Sequence, residues 1–360
     1  MRTATKSGIT LKYPDELGFA FNPCLLVADG TEFMIISVTD GVTVQNVTYR
    51  GISGRTFADV RSWVQSFFNE NAFEQINYAQ SLQQVATGKQ LSFTVTVRGG
   101  GSTVQFDSFS VFYVWGAMKI GGQEVFNGYR KLKYFANYPF TFGVYASGAT
   151  NIVFGTASAV QVTGAGMWNV KPVIGAGYDR VLISDYNGTI EQATFDTTFD
   201  LSFMLASGGS QQVIGEIEID RQTNEGYYLR WLNRHGFWCY WLFKEGAGSY
   251  KSQADGEFWR NNLLDYTQAY GYQGGAVRRQ SYIRTETIPV CVPLVDRQTW
   301  EYLLDITSSP LVDLYTGTVG GTPQWVSVSV VAGSTTRDMK AELQDFVCQI
   351  QMPEIQTQRL

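Results

Sequence analysis

The chain has 360 residues and 16% charged residues, with 27 Lys+Arg against 32 Asp+Glu for a formal net charge of −5. A phosphate-tracking surface needs clustered Lys and Arg, and the longest basic run here is the pair Arg278-Arg279, so nucleic acid is excluded as an expected partner. Aromatics at 14% and 37 glycines describe an all-β chain with many turns, and the low charge points to surface buried against partners.

The opening residues MRTATKSGITLKYPDE carry no apolar h-region, so no secretory signal is expected, and no apolar run reaches the length of a membrane helix. VADGTEFMIIS (27–37) reads as a hairpin about an Asp-Gly turn. RTFADVRSWVQSFFNENAF (55–73) reads as the best helix. Thr56 and Asp59 resemble a capping box, and Phe57, Val60, Val64 and Phe67 make one apolar stripe. LSFTVTVRG (91–99) alternates as a strand with Phe93, Val95 and Val97 on one face. The glycine clusters RGGGST (98–103), TGAGMW (163–168) and TVGGTP (318–323) lack the spacing of a phosphate loop and read as turns. ISDYNGTIEQATF (183–195) reads as a second hairpin, about Asn-Gly.

ASGGSQQ (206–212) is a small-residue stretch between two strand-rich regions. It sets the expected division into an N-terminal β-rich domain, 1–208, and a C-terminal one, 209–360. In the latter, EGAGSYKSQADGE (245–257) and GYQGGAVRRQ (271–280) read as flexible loops within 245–280. They flank a short amphipathic helix, EFWRNNLLDYTQ (257–268), whose Trp259, Leu263 and Leu264 would dock on a neighbour. DRQTWEYLLDITSSP (296–310) reads as a helix over 296–306. Asp296 caps it, Trp300, Leu303 and Leu304 face inward, and Ser-Ser-Pro stops it. QWVSVSVVAG (324–333) and DFVCQIQM (345–352) close the chain as alternating strands. The fold expected is mainly β: antiparallel, sandwich-like domains with a few short helices.

The densest aromatic stretch is GYYLRWLNRHGFWCYWLFKEG (226–246), which holds the only histidine, His235. Asn233-Arg234-His235-Gly236 is turn chemistry between two apolar runs, so His235 belongs at the tip of a tight corner. Catalysis would require a nucleophile and an orienting acid; a metal would require a second histidine or a cysteine pair. Neither pattern exists, and no cofactor is implied. Along FWCYWLF both strand faces are apolar, so both should be covered, one by the core and the other by a neighbouring domain or subunit. Trp238, Tyr240 and His235 are therefore interface candidates. A sugar platform is the alternative use of such aromatics. Glu216, Glu218 and Asp220 in EIEID share one strand face, which suits a solvated face, a hard cation or an acid/base pair. Cys24, Cys239, Cys291 and Cys348 have no C-x-x-C spacing and read as buried free thiols of a reducing compartment.

The C-terminal part has an ordered pattern. A Trp-rich stretch ends in YWLF (240–243), variable loops follow, and then TETIPVCVPLVDRQTWEYLLDITSSPLVDLYTG (285–317). WVSVSVVAGS (325–334) and a strand running to PEIQTQRL complete it. In this order the chain resembles tail, ring or baseplate-type virion structural proteins of tailed phages infecting Bacteroidetes, including crAss-like phages. The resemblance covers about 226–360. It implies a non-enzymatic β-rich subunit, present in the virion and assembled in the host bacterial cytoplasm. Its partners would be copies of itself and other virion proteins, with no membrane and with a glycan as a possible further ligand. The other readings are a carbohydrate-binding β-sandwich and a glycan hydrolase using Glu216 and Glu218.

Overall fold

A computed structural model describes residues 1–121, 126, 128–154, 158–174, 179–187, 193–195, 203–205, 210–222, 225–261, 275–333, 335–338 and 340–356. Among the described residues strands hold 58% and helices 7%, so the mainly β, antiparallel class is the one adopted. By its contacts the chain divides into two units: Met1–Asn224 with Leu232–Tyr240, and Glu225–Trp231 with Trp241–Leu360. The expected boundary at 208 lies outside the described residues. The strand Gln211–Asp220 pairs with Arg130–Phe135 and Arg180–Tyr186, which ties it to the first unit.

In the first unit, Arg2–Lys6, Ile9–Tyr13, Leu25–Asp29 and Arg55–Asp59 form a four-stranded sheet. A second sheet runs Leu17–Phe19, Phe109–Val114, Gly88–Gly99, Phe33–Thr39, Val44–Arg50, with Ser102–Gln105 added on Gly88–Gly99. Residues of both sheets share one core, including Leu11, Leu26, Met34, Ile36, Phe93, Val95 and Val97. The alternation of 91–99 is realised: Leu91, Phe93, Val95 and Val97 are buried and the residues between them are not. A five-stranded sheet and the three-stranded sheet Phe142–Ala146, Gly166–Val170, Leu82–Gln84 complete the larger elements.

Three local expectations change. The Asp29-Gly30 turn exists, with Gly30 at φ +78, but it joins two sheets rather than two paired strands. The buried Thr31 fixes this crossing: its hydroxyl bonds Ala28 O at 3.0 Å and Thr56 Oγ1 at 2.7 Å. The strands around Asn187 likewise pair elsewhere, Arg180–Tyr186 with two neighbours and Ala193–Phe195 with Phe203–Leu205. Gly188 lies outside the described residues. The helix expected over 55–73 is shorter, Arg61–Ser66, because Arg55–Asp59 pairs as a strand with Leu25–Asp29. Sheet pairing there overrides a helical spacing. Val60, Val64 and Phe67 are buried as the stripe requires, whereas Phe57 faces out. Asp59 accepts from Cys24 N (3.1 Å) and Arg61 N (3.0 Å), fixing the junction rather than capping with Thr56.

In the second unit six strands close into a barrel. The order around it is Tyr227–Leu232, Val312–Val319, Thr322–Val330, Gln344–Gln351, Gly275–Val295, Trp238–Glu245 and back to the first. Closure rests on the pairs Lys244 with Cys291 and Glu245 with Val290. A closed barrel has no free edge, which removes the hazard of an exposed strand ladder. Leu229, Trp231, Phe243, Val290, Phe346 and Ile350 are fully enclosed. The helix Arg297–Leu304 packs Trp300 and Leu303 inward, with Leu304 half-buried, and a 3-10 turn, Asp305–Ser308, extends it. Its N-cap is as expected: Asp296 Oδ1 accepts from Thr299 N at 2.8 Å.

The expected loops within 245–280 are corrected. Ser249–Asn261 and Gly275–Val295 are strands, paired from Ser249 with Thr287 to Asn261 with Gly275. The chain at 257–261 is therefore extended, not helical, and 262–274, with Leu263 and Leu264, lies outside the described residues. Cross-strand contacts supply what the polar sequence lacks in hydrophobicity. Arg284 lies 4.4 Å over the ring of Tyr250, and Glu257 pairs with Arg279. Among the described residues no helix is long and apolar enough to cross a membrane.

Candidate functional site

The aromatic stretch folds as two strands, Tyr227–Leu232 and Trp238–Glu245, around the corner at 233–237. Asn233 organises the corner. Its N–H donates to Phe237 O (2.8 Å), and its side-chain Oδ1 accepts from His235 N (3.0 Å) and Phe237 N (2.9 Å). Gly236 sits at φ +75, and a Cβ there would meet Trp115 O at 2.9 Å. A left-handed turn against a neighbouring backbone requires glycine at this point. His235 is at the tip, half-buried, with its ring edge-on to Phe126.

Both faces of the following strand are covered, but within the single chain. Trp238 and Tyr240 are only 3% and 1% exposed. Trp238 Nε1 donates to Phe73 O at 3.0 Å, and the Tyr240 hydroxyl lies between Tyr78 OH (3.2 Å) and Thr141 Oγ1 (3.0 Å). These two residues are core and are not available as an interface or as a sugar platform. Further along, Trp241 packs against Tyr302, and Phe243 against Trp231 and Phe346. Trp259 pairs with Val277 by backbone in the long ribbon and is not on a helix.

The three carboxylates of 216–220 face the lysines of the parallel neighbour strand. Lys131 lies 3.9 Å from Glu216, and Lys133 lies 3.6 Å from Glu218 and 3.3 Å from Asp220. Ile217 and Ile219 point into the core. The carboxylates thus form a strand face paired with ammonium groups. Among the described residues no group of three or more His, Cys, Asp or Glu is placed to hold a metal. The four cysteines are free. Burial pushes the Cys24 thiol up to about 12, although it contacts Tyr113 OH at 2.6 Å, and burial raises Cys348 to about 12 as well. Both remain protonated at neutral pH and are inert as nucleophiles.

The sequence reading missed a buried ion pair. Arg230 Nε donates to Asp313 Oδ2 at 2.8 Å on neighbouring barrel strands, and the Arg230 guanidinium lies 4.4 Å over the Trp325 ring. A lone charge inside the apolar run YYLRWL was the available signal.

In the second unit the ribbon and one strip of barrel wall are exposed. Residues 249–257 are exposed apart from the half-buried Ala254. On the wall, Leu294, Leu343 and Val347 are exposed apolar side chains. No protein-family model matches the chain, and no curated protein matches it.

Proposed function

We propose that the chain is a non-enzymatic structural subunit of a tailed-phage virion, assembling with copies of itself and with other virion proteins into a tail, collar or baseplate ring. The ribbon carries this reading. A two-stranded β-ribbon is marginally stable in water on its own; here Ser249–Asn261 makes twelve cross-strand pairs with Gly275–Val295, which is backed by Ile355–Gln356 at Ile283 and Arg284 and by Gln344–Gln351 from Thr287 on, and residues 249–257 are exposed apart from the half-buried Ala254. Such a ribbon gains from being covered, and a neighbouring protein supplies the cover. The low charge fits the same use. The paired carboxylates and protonated thiols give no support to an enzyme, and the enclosed Trp238 and Tyr240 give none to a sugar platform. As a virion component the chain would be made and assembled in the host bacterial cytoplasm.

The test is sedimentation and negative-stain electron microscopy of the purified full chain across a concentration series. Rings or defined oligomers are expected. A protein that stays monomeric at all concentrations, alone and mixed with the other virion proteins of its phage, would refute the reading.

A further inference from the structure

The first unit holds a cavity of about 210 Å³, lined by the strand Leu17–Phe19 and by the segment leading into Leu25–Asp29. Its walls are apolar, from Leu17, Phe19 and Leu25, and its rim at Asp15 and Pro23 is exposed to solvent. Its floor is polar and buried: Cys24 and Tyr113 line it and are only 3% and 1% exposed. A cavity of about 150 Å³ already accepts benzene, so this one has room for a single substituted aromatic ring.

The neighbours hold this floor in place. Tyr113 pairs with Gly18 on the parallel strand, and a Cβ at Gly18 would meet the Tyr113 ring at 2.5 Å. Glycine there lets the ring lie across the strand and brings its hydroxyl to Cys24 Sγ, 2.6 Å away. Cys24 is fixed through its backbone on both sides. Its N–H donates to Asp59 Oδ1 (3.1 Å), and its carbonyl accepts from Val60 N (3.0 Å). Asn22, also in the lining, has its side-chain amide committed to the Met118 N–H and carbonyl, each at 2.7 Å.

Burial keeps both the Cys24 thiol and the Tyr113 phenol protonated. The pair therefore brings two hydrogens, and its single bond uses one of them. Among the described residues neither Cys24 Sγ nor the Tyr113 hydroxyl has another hydrogen-bond partner. A buried donor without an acceptor is costly, and an acceptor placed in the cavity removes that cost. A hydroxyl suits the position because it can accept the second hydrogen and also donate to a lone pair of the thiol or phenol. A carboxylate does not, because it would meet no cation at the floor and would lose its hydration. We propose that this cavity binds a small neutral phenol, its ring between Leu17, Phe19 and Leu25 and its hydroxyl on the Cys24–Tyr113 pair. The site lies within the first unit and is independent of the assembly reading above.

The experiment is a fluorine NMR titration of the purified full chain with 4-fluorophenol, fluorobenzene and 4-fluorobenzoate. 4-Fluorophenol is expected to bind about five- to tenfold more tightly than fluorobenzene, which is what one net hydrogen bond contributes. 4-Fluorobenzoate should not bind. Tyr113→Phe keeps the ring and removes the hydroxyl, so it should retain the affinity for fluorobenzene and bring the phenol preference close to parity. Tyr113→Phe with Cys24→Ala removes both polar groups and should abolish the preference altogether. Wild-type protein that does not bind 4-fluorophenol, or binds it no more tightly than fluorobenzene or 4-fluorobenzoate, would overturn the proposal whether or not the variants fold. A phenol preference kept in full by a folded Tyr113→Phe protein would overturn it as well, because the hydroxyl would then rest on another group.

Discussion

Arg230 and Asp313 form an almost fully enclosed ion pair, 2.8 Å from Nε to Oδ2, directly opposite each other on two neighbouring barrel strands. Removing one partner of such a pair leaves a charge with neither water nor a counter-ion, at a cost of about 3–5 kcal/mol. Asp313→Leu is therefore expected to shift the urea midpoint strongly downward. The double change Arg230→Met with Asp313→Leu should recover most of that loss, since it removes both desolvated charges. A double variant no more stable than the single one would show that the Arg230 stack on Trp325, rather than the ion pair, holds this part of the wall.

Asp296 caps the helix Arg297–Leu304 through Thr299 N. Its carboxylate satisfies an otherwise orphan donor and opposes the helix dipole, together about 0.5–2 kcal/mol. Asp296→Ala should lower the stability of the chain by that amount, and Asp296→Asn by less, because the amide oxygen still accepts the bond. Equal midpoints for wild type and Asp296→Ala would refute the assigned role.

Asp40 gives a pH signature. Its carboxylate accepts from Lys89 Nζ at 2.7 Å and from the backbone N–H groups of Thr43 and Val42 at 2.8 and 3.0 Å. The lysine first, and the backbone donors after it, hold its pKa well below the usual carboxylate range. A lowered folded pKa contributes stability that is present above the unfolded value of about 3.9 and is lost as pH falls through the folded one. The stability difference between wild type and Asp40→Asn should thus be full at neutral pH and shrink below about pH 4. A difference independent of pH over that range would assign the effect to packing.

The class of fold was legible because strand alternation is local: Phe93, Val95 and Val97, or Phe346, Cys348 and Ile350, announce their buried face without knowledge of their partners. The Asp296 cap was legible for the same reason. Pairing was not. Asp29-Gly30 specifies a turn, but whether the flanking strands pair depends on Thr31 and Thr56, which are distant in sequence and meet only in the fold. The ribbon was hidden because its stability comes from cross-strand contacts such as Tyr250 with Arg284 rather than from an apolar face. Trp238 and Tyr240 were legible as buried, but not as buried by Phe73, Tyr78 and Thr141 of the same chain.

Trp241 tests the aromatic stretch as core. It is buried against Tyr302 in the second unit. Truncating a buried tryptophan costs about 3–5 kcal/mol through lost transfer energy and the cavity left behind. That is a large part of the 5–15 kcal/mol typical of a whole domain. Trp241→Ala is expected to be insoluble or to melt far below wild type. His235→Ala should stay soluble, because the backbone N–H groups of residues 235 and 237 still donate to Asn233 Oδ1 when the side chain is truncated. A Trp241→Ala protein with the wild-type melting temperature would remove this residue from the core.

The ribbon should open separately from the barrel. Its strand 249–257 is exposed, so little apolar burial opposes local opening, and regions of that kind exchange amides without global unfolding. Gly256 provides the handle. It sits at φ +84, and a Cβ there would approach Gln280 Oε1 to 2.7 Å. The Gln280 side chain is flexible and can move aside, so the main penalty of Gly256→Val is conformational: a β-branched residue resists positive φ. Amides of 249–257 in this variant should exchange faster than in wild type, while the barrel amides of 288–292 and 346–350 and the global denaturation midpoint stay unchanged. In the assembled form the wild-type ribbon should become protected and the variant should assemble more weakly. A fall in the global midpoint equal to the local loss would mean that ribbon and barrel unfold as one unit, and equal ribbon protection in monomer and assembly would mean that nothing covers it there.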